Sequence, residues 1–331
     1  IQPDVLVCRS EYPLSEDVKK KLALFCNIKK HAVIESLDAE TIYDVPLHMQ
    51  EQKLDQVVLK KFGMEIDEDP ELLVWKKFLS RVKQPKDTVK IGLVGKYVEL
   101  KDSYKSIAEA FIHAGAENEV EVKLDWIHSE TISEETVADK LKGLHAVLVA
   151  PGFGERGIEG KIAAIKYVRE NNIPFLGICL GMQCAVIEYG RNVLGLEDCH
   201  SSEFKPEAKS PVIDLMEDQK NVSDKGGTMR LGAYKCDVKP DSLAHQIYDK
   251  DAITERHRHR FEFNSAYKEQ YETSGMIASG VNPDSELVEM VEIPTHPWFM
   301  GVQFHPEYKS TVANPHPLFV AFVKAAQDNK K

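Results

Sequence analysis

Ile173-Pro174-Phe175-Leu176-Gly177-Ile178-Cys179-Leu180-Gly181-Met182-Gln183 is the stretch from which the rest of the chain is read. An apolar segment passes through Gly-x-Cys-x-Gly into a segment compatible with a helix. A cysteine on such a strand-to-helix turn is held on a sharp elbow, with its sulfur exposed and its backbone beside a helix N-terminus. The two glycines let the chain turn and let neighbouring backbone approach. The same mechanics position the serine of Gly-x-Ser-x-Gly elbows. A helix N-terminus favours the thiolate, the reactive form of the side chain. The stretch therefore predicts a strand, a tight turn and a helix that together present a nucleophile for attack on a carbonyl carbon.

Working outward, buried-strand patterns recur on the N-terminal side. Val89 to Gly95 reads as a strand ending in glycine, Val120 to Ile127 as a second, and Ala146 to Ala150 as a third ending in Pro151-Gly152-Phe153-Gly154. Helical spacing is predicted over Tyr104 to Gly115 and Lys161 to Asn171 between them. Strands alternating with helices argue for a mostly parallel, doubly wound α/β sheet, in which sites lie beyond the carboxyl ends of the strands. Gly95, Gly152 and Cys179 all fall at such ends. After Cys199 the pattern changes to short strands: Pro211 to Leu215, Ala233 to Val238, Arg258 to Asn264, Met276 to Gly280, Leu287 to Ile293 and Phe299 to Phe304. A helix over Pro317 to Ala326 closes the region. Residues 1–80 read differently, with strands at Val5 to Cys8 and Ala32 to Ile34 and helices at Asp17 to Phe25, Met49 to Phe62 and Glu71 to Val82. The polar, proline-containing stretch 81–88 is read as a linker, dividing the chain into 1–80 and 89–331.

A cysteine nucleophile needs a base within hydrogen-bond reach and a group that orients the base. Gly301-Val302-Gln303-Phe304-His305-Pro306-Glu307 supplies both, because residues 305 and 307 at a strand end point to the same side. His-Pro-Glu alone is equally a capped strand with a solvated glutamate; the elbow is what favours the catalytic reading. The Pro151-Gly152-Phe153-Gly154 turn offers backbone N–H groups to a developing oxyanion, or is an ordinary turn. Glu255-Arg256-His257-Arg258-His259-Arg260 as a strand puts Arg256, Arg258 and Arg260 on one face and His257 and His259 on the other. Recognition of a carboxylate or phosphate suits the arginines; no ligand spacing supports a metal, and none is expected. The glycine-rich segment Val222 to Gly232 reads as a lid or as a surface loop.

Composition sets the outer limits. The chain has 331 residues, 43% of them apolar and 29% charged, with six cysteines and a net charge of −11. Such a chain buries a core without disulfides, and its cysteines are expected to be reduced thiols. The acidic balance gives no general attraction to nucleic acid. No apolar run approaches a membrane span and no signal segment is present, so a cytoplasmic protein is expected. No GxxxxGK[ST] occurs, so no complete P-loop is present. The chain opens at Ile1 without a methionine and is expected to be a piece of a longer protein.

The glycine turn, Gly-Ile-Cys-Leu-Gly-Met-Gln and His-Pro-Glu together resemble class I, triad-type glutamine amidotransferases. Gln2 to Ser10, Gly95 to Leu100, Tyr104-Lys105-Ser106, Gly226 to Gly232 and Glu255 to Arg260 narrow the resemblance to the CTP synthase family, over essentially the whole chain. The resemblance implies a fold of the class I glutamine amidotransferase type, preceded by the tail of a P-loop-type amidoligase domain whose P-loop and magnesium-binding acids would lie upstream. It implies an activity in which L-glutamine is hydrolysed and its ammonia used for ATP- and Mg2+-dependent amination of UTP to CTP, with GTP as activator and a homotetramer as the assembly. This chain alone is then not expected to make CTP. By the same resemblance Cys179 attacks the glutamine amide, His305 moves protons and Glu307 orients His305. Gly152, Leu180, Gly181, Met182 and Gln183 contact the glutamine, with Glu203 on its ammonium and Arg260 on its carboxylate. Phe153 and Arg156 match GTP-associated positions and residues 221–232 its lid. Arg9, Lys21 and Ala39 match nucleotide contacts of the amidoligase tail. One departure matters: family members often carry Gly-Gly-Phe-Gly where this chain has Pro151, which has no N–H to give an oxyanion. The competing readings are the glutaminase of another synthetase, a γ-glutamyl hydrolase and a non-catalytic assembly or filament module. The first two lack the strings that narrow the resemblance, and the third does not require an intact Cys179, His305 and Glu307.

Overall fold

The computed structural model describes residues 2–64, 70–215 and 229–330. They divide into two compact units, Ile1–Leu79 and Ser80–Lys331. The first unit holds β1 (Leu6–Arg9), α1 (Glu16–Phe25), β2 (Val33–Ser36), α2 (Val45–Glu51), α3 (Leu54–Lys61) and the start of α4 (Leu73–Lys83). Strands β1 and β2 pair in parallel, Leu6 opposite Val33. Ser15 caps α1 by accepting from the Val18 N–H, with Glu16 and Asp17 in the first turn where the helix dipole favours acids.

The single helix expected over Met49 to Phe62 is broken in two. Lys53 takes a left-handed φ of 58°. The neighbouring Gln52 turns back onto β2, accepting from the Glu35 N–H and donating to its carbonyl, both at 2.7 Å. Those two bonds replace continuation of the helix. The stretch 81–88 is less of a linker than its composition suggests: it contains the end of α4 and, from Asp87, the first residues of the next strand.

The second unit is built on β3 (Asp87–Gly95), α5 (Lys105–Glu117), β4 (Val120–His128), α6 (Val137–Lys140), β5 (Ala146–Val149), α7 (Ile158–Glu170), β6 (Phe175–Ile178) and α8 (Leu180–Asn192). Then come β7 (Cys199–Ser201), β8 (Ser210–Leu215), β9 (Arg230–Val238), α9 (Leu243–Tyr248), β10 (Ala252–His259), β11 (Phe261–Phe263) and α10 (Lys268–Ser274). The chain finishes with β12 (Ile277–Val281), β13 (Val288–Glu292), β14 (Phe299–Val302) and α11 (Pro317–Asp328). Among the described residues nine strands form one sheet in the order β10-β9-β12-β13-β14-β6-β5-β3-β4. The five strands from β14 to β4 run parallel. The other four extend the sheet antiparallel. A smaller sheet, β11-β8-β7, lies apart.

Alternation along the parallel strands sorts the core into two faces. Ile91, Leu93, Leu148 and Leu176 pack against Ile107 and Phe111 of α5 and Phe319 and Phe322 of α11. Val94, Val147, Val149 and Phe175 pack against Ile158, Ile162 and Ile165 of α7 and Ala185 and Val186 of α8. Burying each of these side chains fully contributes roughly 1.5–3 kcal/mol before entropy is counted. The chain leaves β3 for β4 on one side and then crosses to β5 on the other. That reversal makes a topological switch at the carboxyl ends of β3 and β5, where an open α/β sheet leaves a crevice.

The strand expected over Arg258 to Asn264 is two strands in two sheets. β10 pairs with β9, β11 pairs with β8, and Arg260 stands at the break. His257 and His259 are buried while Arg256 and Arg258 are exposed, as alternation predicts, but Arg260 leaves the arginine face. The short elements β7, α6, α9 and α10 had no expectation. Among the described residues no helix is long and apolar enough to cross a membrane.

Candidate active site

The elbow is formed by three features. β6 ends at Ile178, Cys179 adopts φ 51° and ψ −105°, and α8 begins at Leu180. A non-glycine residue at positive φ is strained and persists only where its surroundings over-determine it. Here they do. A Cβ on Gly181 would stand 2.1 Å from the Val149 carbonyl oxygen, and one on Gly177 would stand 2.7 Å from the Gly181 carbonyl carbon. The turn is thus pressed against the end of β5 with no room for any residue but glycine on either flank. The Cys179 N–H donates to the Val302 carbonyl at 2.7 Å, which ties the elbow to the neighbouring strand.

β14 brings the second half of the site. It pairs with β6 in parallel with Val302 opposite Ile178, so residues 303 and 179 leave the sheet side by side. Gln303 donates from Nε2 to the Cys179 Sγ at 3.6 Å. Two residues on, His305 Nδ1 bonds Glu307 Oε1 at 2.8 Å, and the imidazole stacks on the Tyr308 ring at 5.3 Å between centroids. His305 and Glu307 are both buried. Burial pulls the His305 pKa down. The Cys179 sulfur and the Glu307 carboxylate outweigh burial and hold it up at about 11. His305 Nε2 is buried and makes no hydrogen bond to a described residue.

The residues expected around the amide also converge. Gly152, Phe153, Cys179, Gln183, Glu203, Met229, His259, Arg260 and Phe261 line one cleft of about 40 Å³. Leu180, Gly181 and Met182 lie behind it as the buried first turn of α8. A Cβ on Gly152 would meet Leu180 Cδ2 at 3.5 Å, so the glycine turn and the elbow face one another closely. Glu203 has its carboxyl pKa raised by burial, against the Gly154 N–H and the Arg260 charge, which lower it. Arg260 Nε is buried without a hydrogen bond to a described residue. An acid and a base thus face the cleft together. Gln183 donates both amide hydrogens inward, to the Phe261 carbonyl at 2.9 Å and to Gln303 Oε1 at 3.2 Å. Its carbonyl oxygen remains as the acceptor.

The GTP-associated residues lie at the rim. Phe153 is exposed, with the Arg258 guanidinium 5.6 Å from its ring centroid. Arg156 is engaged by Glu130 at 3.0 Å. Of the lid segment 221–232, residues 221–228 lie outside the described residues. In the first unit, Arg9 is paired with Asp38 and donates to the Ser10 carbonyl at 3.0 Å, beside half-buried Ala39. Lys21 is exposed on α1.

Two residues at the elbow were not singled out from sequence. Gln303 shares the alternation of 305 and 307, and that parity was the signal available. Lys161, on α7, is completely buried, and its Nζ donates to the Ala150 carbonyl at 2.9 Å beneath the glycine turn. Nothing in a lysine on an amphipathic helix signals burial. His257 and His259 hydrogen-bond to each other at 2.8 Å and are flanked by Glu289 and Glu262. Among the described residues no group of three or more histidine, cysteine or acidic side chains converges to hold a metal.

Known proteins resemble this chain in sequence and fold. The glutamine amidotransferase class-I family model matches residues 99–325, and the CTP synthase N-terminus model matches residues 1–64. The chain therefore belongs to the class I glutamine amidotransferase family, which is an enzyme family. The CTP synthase of Christiangramia forsetii is 60% identical over 329 residues, covering 99% of this chain and 60% of that protein. The CTP synthase of Flavobacterium johnsoniae is 61% identical over 331 residues, covering 100% and 62%. The solved glutaminase domain of Trypanosoma brucei CTPS, with bound acivicin, is 38% identical with a TM-score of 0.68, covering 72% of this chain and 94% of that one. Within the class, the chain is a member of the CTP synthase family. It spans about three fifths of the length of the two relatives.

Proposed function

We propose that this chain hydrolyses L-glutamine through Cys179, His305 and Glu307. One juxtaposition carries the reading: a cysteine at positive φ and a buried, carboxylate-bonded histidine stand just beyond the ends of adjacent parallel strands. The Cys179 thiolate attacks the side-chain amide carbon of glutamine. A C–S bond forms and the carbonyl oxygen takes the charge, held by the N–H groups of Gly152 and Leu180. Pro151 has no N–H and contributes none. Imidazolium His305 gives its proton to the amide nitrogen, the C–N bond breaks, and ammonia leaves a thioester. His305 then takes a proton from water as the water oxygen attacks the thioester, and glutamate leaves as the thiolate is restored. Glu307 keeps the ring oriented and favours its charged form.

Glutamine is recognised as a zwitterion, with its ammonium at Glu203 and the Gln183 carbonyl, and its carboxylate at Arg260. Phe153 and Met229 line the same cleft. Phe153 and Arg156 take part in the response to GTP. The second unit is the glutaminase domain. The first is the tail of the amidoligase domain, with Arg9, Lys21 and Ala39 as nucleotide contacts. The longer protein uses the ammonia with ATP and Mg2+ to convert UTP to CTP as a cytoplasmic homotetramer.

The test is ammonia release from glutamine by the chain and by Cys179→Ala, together with labelling by a glutamine-mimicking electrophile mapped by mass spectrometry. Loss of turnover and label at Cys179 is expected; undiminished turnover in Cys179→Ala refutes the triad. The amination step is checked by CTP formation from UTP, ATP and glutamine, with and without GTP, in protein extended N-terminally to the length of the relatives.

A further inference from the structure

The amide of Gln303 has no part in the triad, yet its Nε2 donates to the sulfur of Cys179. Gln303 is fully buried. Its backbone N–H donates to the Glu289 carbonyl at 2.8 Å, which fixes where the side chain starts. Its Oε1 accepts from Gln183 Nε2 at 3.2 Å, and its Nε2 donates to Cys179 Sγ at 3.6 Å. The two ends of an amide are exchanged by a simple flip, so the direction must come from the partners. It does so here in one chain of donors. The Phe261 carbonyl can only accept, so Gln183 must present hydrogens on that side. The same NH2 group then meets Gln303, which must answer with oxygen. Only NH2 is left for the sulfur. A flipped Gln303 would set hydrogen against hydrogen at Gln183 and oxygen against sulfur at Cys179.

We propose that Gln303 is a catalytic residue of the glutaminase reaction, donating an N–H···S bond to the Cys179 thiolate, with Gln183 setting the direction of that bond. The proposal rests on Cys179 being the nucleophile. The bond favours charge on sulfur at two moments: before attack, when it raises the thiolate fraction, and during thioester hydrolysis, when sulfur departs as thiolate. His305 and buried Lys161 act on the same sulfur, so losing the amide weakens the thiolate without abolishing it. Gln183 meanwhile keeps its carbonyl oxygen toward the cleft. The residue that accepts from the substrate thus also orients the donor on the nucleophile.

The experiment compares the whole chain with Gln303→Met, which keeps length and volume but has no N–H. The alkylation rate of Cys179 by iodoacetamide is followed against pH, beside kcat and KM for glutamine. A hydrogen bond to a charged group is worth roughly a tenfold effect or more. The expected result is an alkylation profile displaced to higher pH by about one unit or more and kcat lowered about tenfold or more, with KM within about threefold. Near-ultraviolet circular dichroism reports whether the variant is folded. Should Gln303→Met lose its fold, Gln303→Leu, which also lacks the donor and adds no charge beside the sulfur, carries the same prediction. A folded variant with an unshifted alkylation profile and unchanged kcat overturns the proposal. Turnover persisting in Cys179→Ala, or alkylation mapping to another cysteine, instead overturns the nucleophile assignment beneath it.

Discussion

Replacing Gly181 by alanine tests whether the elbow is as tightly seated as its geometry indicates. The added Cβ would lie 2.1 Å from the Val149 carbonyl oxygen, 3.0 Å from its carbonyl carbon and 3.4 Å from its Cβ. Ordinary contact begins near 3.4 Å, so α8 and the end of β5 must separate by about 1.3 Å, a strain of the overpacking kind. Both partners are backbone, one in a fully buried parallel strand and the other in the first turn of a buried helix, so no side chain can swing aside. Forced separation of this kind costs about 1–3 kcal/mol, often toward the upper end where backbone must move. Alanine returns at most about 1 kcal/mol in helix propensity. A net loss of about 2 kcal/mol lowers Tm by roughly 4–8 °C for a unit of this size. Activity should fall further than stability, because Cys179, the proposed nucleophile, is two residues away and a displacement of about 1 Å at a reacting atom costs on the order of a hundredfold. The control is Gly195→Ala, at φ 64° with nothing within 4 Å of the added Cβ. It carries only the left-handed penalty of roughly 1–2 kcal/mol and should leave glutamine turnover unchanged. Differential scanning calorimetry and ammonia release are measured on both. Gly181→Ala with wild-type turnover, or with a loss of turnover no greater than Gly195→Ala, refutes the close seating of the elbow on β5.

The charge on His305 gives a pH signature. Its folded pKa stands at about 11, above the usual 6.5, so the imidazolium contributes stability that is complete below pH 6.5 and is lost as the pH rises toward 11. Glu307→Gln removes one source of that shift, so its unfolding midpoint in urea should decline less than wild type between pH 7 and 10, and turnover should drop about tenfold or more; parallel declines refute the coupling. Lys161 is the opposite case, with its pKa lowered by burial and no carboxylate among the groups that shift it. Below its unfolded pKa the unfolded chain binds the proton more readily, so the lysine lowers stability at neutral pH. Lys161→Met should therefore raise Tm by a few degrees at pH 7, and a lower Tm would show that the bond to Ala150 outweighs the desolvation.

What could be read from sequence follows from which interactions are local. Most of the parallel strands were legible because they are short apolar runs beside helices of clear 3.6 periodicity, as at Val89 to Gly95 and Lys105 to Glu117; Val120 to Ile127 instead alternates apolar with charged residues. The elbow was legible because the residues that meet its requirements all lie within five positions, the cysteine at 179 and the glycines at 177 and 181, although the contact that demands Gly181 comes from Val149. The break at Arg260 was not. Glu255 to Phe263 alternates without interruption, and only the separate partners β9 and β8 divide it into strands of two sheets. The break at Lys53 was hidden for the same reason, since its cause is Gln52 bonding Glu35 across 17 residues of chain. Lys161 was hidden because charge on a helix is ordinarily solvated, and its burial depends on the turn at Ala150 folding over it.

The site itself depends on one such non-local pairing. Val302 opposite Ile178 brings residue 303 beside residue 179, and alternation then carries His305 and Glu307 to the same side of the sheet's edge. A slip of one residue in that register would turn Gln303 and His305 to the opposite face and take the imidazole away from the sulfur. Several interactions oppose a slip: the Cys179 N–H on the Val302 carbonyl, the Gln303 N–H on the Glu289 carbonyl and the His305 N–H on the Arg256 carbonyl. These three backbone bonds join β14 and its extension to β6, β13 and β10. The antiparallel half of the sheet therefore bears on the site without contributing a side chain to the Cys179–His305–Glu307 set: it holds the strand that leads to His305 in register with the strand that leads to Cys179. Changes at the backbone of β10 or β13 should then reach the active site through the position of residues 303 to 307, whereas changes on the solvent face of the same strands should not.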